Sequence, residues 1–356
     1  MSLVARWRYY RRILPAYLGS GRSQLTFWHE TPELNPRASI DSQANGRQPS
    51  DHRPNALEHA RRLGPYYMSF REKADYAGAY DAAGIPMLDY RGAIGLQYNP
   101  IAIAQWGLAN FNLFCETSNA IRLQKTLKSA DWLTANLEQN PQGCWVWNHH
   151  FDWEYRDTLK APWYSGLAQG QGVSLLLRAH AQTGDVKYEQ AAERAFVALT
   201  RPISQGGVLF EDDKQNLWIE EYLVNPPTHI LNGFMWALWG VFDFWRARAD
   251  DAAKQIFELG VATLLHNLPR FDTGYWSLYE QSGNAQSGHE QSRTRLKMLA
   301  SPFYHRLHIV QLRVMANLTG DARFNDFADR WEGYAQRRTN RARAIAEKSM
   351  FKLLHY

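Results

Sequence analysis

The sequence predicts a mainly α protein, an α/α toroid: an incomplete barrel of about four helical hairpins, with β-hairpin inserts and a short N-terminal stub containing β structure. Three observations carry this expectation. Four apolar stretches each open at a proline, Pro100, Pro162, Pro227 and Pro302. Proline is favoured in the first turn of a helix, where its missing N–H is not needed. The prolines are separated by 62, 65 and 75 residues, a self-similarity long enough for one helical hairpin per repeat. A more polar helix follows each apolar one. Two of these open with the same words, Thr183-Gly184-Asp185 and Thr319-Gly320-Asp321, whose aspartates are expected N-caps.

Taken in order, residues 1–62 read as a basic, largely irregular arm carrying ten arginines against five acids. The run Asp41–Asp51 is polar and turn-rich, with no period. Trp7, Tyr10, Leu14 and Tyr17 fall at helical spacing between arginines. That pattern suits a packing arm or surface helix, with a foot on a membrane surface as the sharper alternative. In residues 63–95, Tyr66–Phe70 and Pro86–Tyr90 bracket Gly78 and Gly84 and suggest a hairpin. Residues 96–338 form the toroid, with inner helices alternating with outer ones. Strand-like inserts lie between the pairs: Cys144–Trp147, Gly207–Phe210 with Leu217–Ile219, and Tyr275–Tyr279. Residues 339–356 read as a basic tail.

Composition narrows the function classes. Net charge is +5, but both ends are basic and the middle of the chain is acidic, so the body is no magnet for polyanions. Nucleic acid is not an expected partner, and an anionic substrate would need a local cluster to draw it. The two cysteines, Cys115 and Cys144, make no disulfide framework, and Cys115 is expected as a core thiol. No phosphate-cradling glycine loop and no metal-spaced His/Cys set occurs. No cofactor is therefore expected, with a structural calcium ion left open because carboxylate and carbonyl sites leave little trace in sequence. The absence of an 18-residue apolar stretch and of a signal-peptide core points to a cytoplasmic protein. The basic arms leave room for peripheral membrane contact.

The chemistry concentrates in Trp218–Phe234, which sets Glu220, Glu221 and Tyr222 just ahead of an apolar helix. Two carboxylates and a phenol at a helix mouth can move a proton. Tyr279 and Tyr304 stand in comparable places. Two residues after each proline lie Ala102, Tyr164, His229 and Tyr304; nine residues after lie Ala109, Gln171, Trp236 and Gln311. Offsets that differ by seven share a helix face, so a polar stripe is expected. It either pairs with neighbouring backbone or lines a wet central cleft.

Several strings together resemble the D-glucuronyl C5-epimerase family. They are Leu96-Gln-Tyr-Asn-Pro100 with Ala104-Gln-Trp-Gly107, Trp163-Tyr-Ser-Gly-Leu-Ala-Gln-Gly-Gln171, Glu220-Glu-Tyr222, Leu231-Asn-Gly-Phe-Met235, Phe271-Asp-Thr-Gly274 followed by Tyr279, and Tyr304-His305 with His308 and Gln311-Leu312. The resemblance spans roughly residues 66–338. It implies conversion of D-glucuronate to L-iduronate units inside a heparan-type polysaccharide precursor, and homodimers are common in the family. It carries the catalytic tyrosines onto Tyr222, Tyr279 and Tyr304, with Glu221 as a partner. A free phenol with a pKa near 10 is a poor base at neutral pH, which favours Glu221 for abstraction and Tyr304 for return of the proton. Tyr164, Gln169, Gln171, Asn232 and His308 are expected to line the cleft, and Arg306 is a candidate cation for the substrate carboxylate. Asp152, Glu154, Arg156 and Asp157 are candidates for its rim. The family places a basic residue soon after the tyrosine matching Tyr279, whereas the run Tyr279–His289 has neither Lys nor Arg. Two other readings stay open: a uronate polysaccharide lyase on the same fold, and a non-catalytic glycan-binding protein.

Overall fold

The computed structural model describes residues 24–38, 63–155, 158–281 and 297–355. In chain order, α1 (Gln24–Trp28) and α2 (Arg71–Ala74) precede a three-stranded antiparallel sheet of β1 (Ala79–Tyr80), β2 (Pro86–Asp89) and β3 (Leu96–Gln97). The toroid follows as four hairpins. Inner helix α3 (Pro100–Thr117) pairs with outer α4 (Ala120–Ala135), α5 (Gly166–Thr183) with α6 (Val186–Phe196), α7 (Leu231–Arg248) with α8 (Asp251–Phe271), and α9 (Pro302–Thr319) with α10 (Ala322–Gln336). A last helix, α11 (Arg338–His355), packs on α9 and α10. Two-stranded inserts connect the hairpins: β4 (Glu138–Gln139) with β5 (Trp145–Val146), β6 (Trp153–Glu154) with β7 (Thr158–Leu159), and β8 (Leu209–Glu211) with β9 (Leu217–Ile219).

All four inner helices have 18 residues, about 27 Å at 1.5 Å per residue. The first three are buried along most of their length, the mark of helices packed on nearly every side, while the last keeps an open face with Arg306 exposed. The turn out of each is built alike. A residue in the left-handed region ends the inner helix (Ser118, Gly184, Ala249, Gly320), and the next residue caps the outer one with its side chain (Asn119, Asp185, Asp250, Asp321). The repeated Thr-Gly-Asp is this hinge, and its aspartates accept from Lys187 N at 3.0 Å and Arg323 N at 2.9 Å. Helices α5 and α7 cross backbone to backbone, since a Cβ on Gly170 would stand 2.6 Å from Ala237 Cα.

Toward the C-terminal halves of these helices the core holds a charged pair. Arg178 Nη1 donates to Asp243 Oδ2 at 2.6 Å, Tyr67 donates to Asp243 Oδ1, and both charged residues are fully buried. Asp243→Ala would leave a guanidinium and a phenol without their acceptor. It is expected to cost about 3–5 kcal/mol of unfolding free energy, measured by chemical denaturation.

Several expectations are corrected. Pro162 and Pro227 do not open helices. Pro162 lies in a bend and Pro227 in irregular chain, and the helices start four residues later, at Gly166 and Leu231. Trp163 is held instead in a bridge to His149, and Pro226 before Pro227 is a poor neighbour for helix. Tyr66–Phe70 is not the partner of Pro86–Tyr90: β2 pairs with β1 and β3. Tyr66, Tyr67, Met68 and Phe70 are all buried, without strand alternation, and Phe70 adopts φ 49°. The Asn112 side chain takes up this backbone, accepting from Tyr66 N and donating to Met68 O. Cys115 is exposed rather than a core thiol. The basic tail is the docked helix α11, with Ala344 and Phe351 buried and Tyr275 donating to Glu347. Residues 24–38, expected as irregular arm, include a helix whose Phe27 is buried and a bridge from Leu34 to Met68. Trp7, Tyr10, Leu14, Tyr17 and the run 41–51 lie outside the described residues. No helix among the described residues is long and apolar enough to cross a membrane.

Candidate active site

The N-terminal ends of the four inner helices converge on one cavity. Asn99, Ile101 and Gln105 reach it from the start of α3, Leu167 from α5, Asn232 and Trp236 from α7, and Phe303, Tyr304 and Leu307 from α9. Its volume is about 190 Å³, below the roughly 300–1,000 Å³ of pockets that take drug-sized ligands, and suited to a single sugar ring. Four positive helix ends favour an anion there, each contributing about 0.3–1 kcal/mol at exposed sites.

Glu221 enters this cavity because of strand geometry. Strand β9 ends at Ile219, and successive residues of extended chain point to opposite sides. Glu220 turns back to His229, whose backbone N–H donates to Glu220 Oε2 at 3.1 Å and whose ring meets Oε1. Glu221 turns the other way, onto the first turn of α7, where Asn232 Nδ2 donates to its Oε2 at 3.3 Å. Burial raises the Glu221 carboxyl to about 8, against a partial lowering by the Tyr222 hydroxyl and Asn232, with Glu220 adding to the rise. Burial and the same Glu221 hold the Tyr222 phenol well above its usual 10. Tyr304 lines the same cavity, and Tyr279 packs edge-on against it at 4.9 Å between ring centres. Glu221, Tyr222, Asn232 and Tyr304 are thus brought together, with Tyr279 directly behind Tyr304.

The other expected residues are not at the cavity wall. Tyr164 donates to Gly206 O at 3.0 Å, and Gln169 ties Trp145, Trp147 and Ala195 backbone together. Gln171 accepts from Gln105, and His308 is buried against Ser277. Arg306 is exposed and faces another groove, with Ile309 and Arg313. The polar stripe therefore divides: Tyr304 and Trp236 reach the cavity, while His229 stacks on Trp218. The shifted starts of α5 and α7 account for this, because Tyr164 and His229 precede their helices instead of sharing a face with residues seven later. Of the rim candidates, Asp152 accepts from Lys160 and Ala161, and Glu154 from Thr158. Phe151 and Trp153 of that segment line the cavity. Arg156 and Asp157 lie outside the described residues.

Sequence reasoning missed a whole wall. Gln24–Glu33, in and after α1, lines the cavity together with Lys73. Lys73 is the one Lys or Arg among the described lining residues, and it is already engaged, donating to Phe27 O and lying 3.6 Å from Glu30 Oε2. Burial lowers its ammonium to about 8. The signal that was available is the aromatic cluster Phe27-Trp28-His29, which stands just ahead of the polar stretch 41–51.

Two outcomes follow from the Glu221 environment. A Cβ on Gly233 would stand 2.6 Å from Glu221 Cβ. Gly233→Ala, which in an open helix would stabilise by about 1 kcal/mol, is therefore expected to displace Glu221 and lower activity at least tenfold, with circular dichroism unchanged. If Glu221 acts as a base, only its ionised form accepts a proton. The rate should then rise with pH and level off above about 8, which a pH profile of carbon-5 hydrogen exchange checks.

The chain is similar to several known proteins. The family model described as D-glucuronyl C5-epimerase C-terminus matches residues 139–333. The D-glucuronyl C5-epimerase of Caenorhabditis elegans is 33% identical over 221 residues, covering 58% of this chain and 34% of that protein. An uncharacterized protein of Methanocaldococcus jannaschii is 27% identical over 208 residues, covering 58% of this chain and 63% of the other. The matches thus span less than two thirds of either relative. A solved structure of UGL with dGlcA-Glc-Rha-Glc superposes with a TM-score of 0.45 at 14% identity, covering 78% of this chain and 66% of that one. The family match takes in more than half of the chain, including Glu221, Tyr222, Tyr279 and Tyr304, and the chain belongs to the D-glucuronyl C5-epimerase C-terminus family.

Proposed function

We propose that this protein inverts carbon 5 of D-glucuronate units in a polysaccharide, giving L-iduronate. The observation that carries the reading is the convergence of Glu221 and Tyr304 on one ring-sized cavity at the N-terminal mouth of the inner helices. Glu221 removes the carbon-5 hydrogen as a proton, leaving the electron pair delocalised into the adjoining carboxylate. Tyr304 returns a proton to the other face, Tyr222 holds the ring and the hydroxyls around it, and Tyr279 positions Tyr304 from behind. The dianionic intermediate needs stabilisation as it forms. The inward-facing helix N-termini supply it, because Lys73 is committed to Glu30. Tyr164, Gln169, Gln171, Arg306 and His308 fall outside this arrangement and keep at most a supporting role. No bound cofactor enters the scheme. Heparosan-type chains are the first to try.

The test is incubation with unsulfated glucuronate polymers in heavy water, read by NMR and chain length. Deuterium at carbon 5 in an intact chain supports the reading. Unsaturated uronate ends with shortened chains would replace it by a lyase reaction, in which the same carbanion expels the group at carbon 4.

A further inference from the structure

Helix α11 reaches the candidate active site from behind, and it holds the segment Tyr275–Tyr279 at both ends. At one end Tyr275 donates to Glu347 Oε2 at 2.5 Å, and the Arg343 guanidinium lies 3.8 Å from the centre of the Tyr275 ring. At the other end Lys348 Nζ lies 5.5 Å from the centre of the Tyr279 ring and donates to Leu299 O at 2.6 Å. Leu299 is bridged to Leu278, and Tyr279 N donates to Met298 O at 2.8 Å. One amine thus touches both the ring of Tyr279 and the chain that pairs with its backbone.

Tyr279 in turn meets Tyr304 edge-on, and Tyr304 lines the cavity, so three successive contacts lead from α11 to the cavity wall. Burial lowers the Lys348 ammonium to about 7, with Lys352 adding to the fall and Glu280 opposing it. The charged and neutral forms both donate to Leu299 O, and the charged form adds attraction to the ring face. Anchoring of α11 does not depend on this lysine alone, since Ala344 and Phe351 are buried and Arg343 and Glu347 hold Tyr275. The helix lies after residues 139–333, the part of the chain that the family model matches.

We propose that Lys348 is a positioning residue of the active site: it fixes the Tyr279 ring, and through it holds Tyr304 at the face of the sugar to which the proton returns, a role that rests on the proposed epimerisation. Lys348 does not touch the substrate in this account. It acts because a displacement of about 1 Å at a reacting group, caused by a change far from the chemistry, costs about 10²-fold in rate. Its effect falls on the return of the proton, since Glu221 is held separately, by Asn232 on α7.

The test compares the full-length protein with Lys348→Met, Lys348→Arg and Glu347→Gln, reading iduronate formation and deuterium exchange into glucuronate on the same polymer in heavy water. Methionine keeps most of the stem but neither donates nor carries charge, whereas arginine does both. Lys348→Met should lower iduronate formation by between about tenfold and about 10²-fold, with KM unchanged, and should lower exchange into glucuronate less. Lys348→Arg should recover most of the loss. Glu347→Gln loosens α11 at Tyr275 without touching Lys348, so it should lower thermal stability and keep the parent's ratio of iduronate to exchanged glucuronate. If Lys348→Met does not fold, Lys348→Gln, shorter and uncharged, is read in its place with the same expectation. An unchanged ratio in the Lys348 variant, an equal change in Glu347→Gln, or no recovery in Lys348→Arg each overturns the positioning role and leaves the proposed reaction standing. Absence of exchange by the parent on every glucuronate polymer removes the reaction and the positioning role together.

Discussion

Glu221→Gln is expected to lower carbon-5 exchange by about 10²–10⁴-fold, the usual contribution of a positioned general base. Glutamine keeps the shape and still meets Asn232, but it cannot take up a proton. The stability effect has the opposite sign. Burial raises the carboxyl from 4.5 to about 8 in the folded protein, so between those values the folded state holds a proton that the unfolded state has released. The stability this contributes is complete below pH 4.5 and is lost as pH rises through about 8. Glutamine escapes that loss, and the variant should resist denaturant better than the parent above pH 8 while being nearly inactive. A merely structural Glu221 would show the stability gain without the loss of exchange.

Tyr304→Phe is expected to cost a comparable factor, about 10²–10⁴, with a different signature. Phenylalanine keeps the edge-on contact with Tyr279 and the place beside Phe303, so fold and ring binding should survive. The hydroxyl that returns the proton is gone. Abstraction by Glu221 and reprotonation from its own side remain open, so the variant should wash deuterium into glucuronate faster than it forms iduronate. Measuring both products in one NMR experiment separates this outcome from general inactivation.

The architecture was legible because two local signals recur. The apolar 18-residue inner helices stand out from their polar partners, and Thr-Gly-Asp joins a left-handed C-cap to an N-cap. The helix starts were less legible: proline opens a helix at Pro100 and Pro302 but sits in non-helical chain at Pro162 and Pro227. Proline fixes its own φ and is equally at home in both states. That four-residue offset decided which members of the polar stripe reach the cavity. Glu221, Tyr222, Asn232 and Tyr304 were found from motif strings that keep them together. Glu30 and Lys73 were not, because they come from distant parts of the chain and only tertiary packing gathers them; Gln105 stands in one of the strings, but nothing in it marks a cavity residue. The α1 segment looks irregular by period, since its order comes from burying Phe27 against Tyr76 and not from a helical pattern of its own.

The central claim is that Glu221 and Tyr304 serve opposite faces of one ring, and a single-turnover reaction in heavy water with enzyme in excess over glucuronate polymer tests it most directly. Inversion by two separate groups should place solvent deuterium at carbon 5 of the new iduronate, while glucuronate recovered early carries almost none. Equal early labelling of both epimers, or iduronate that keeps the original hydrogen, would contradict it.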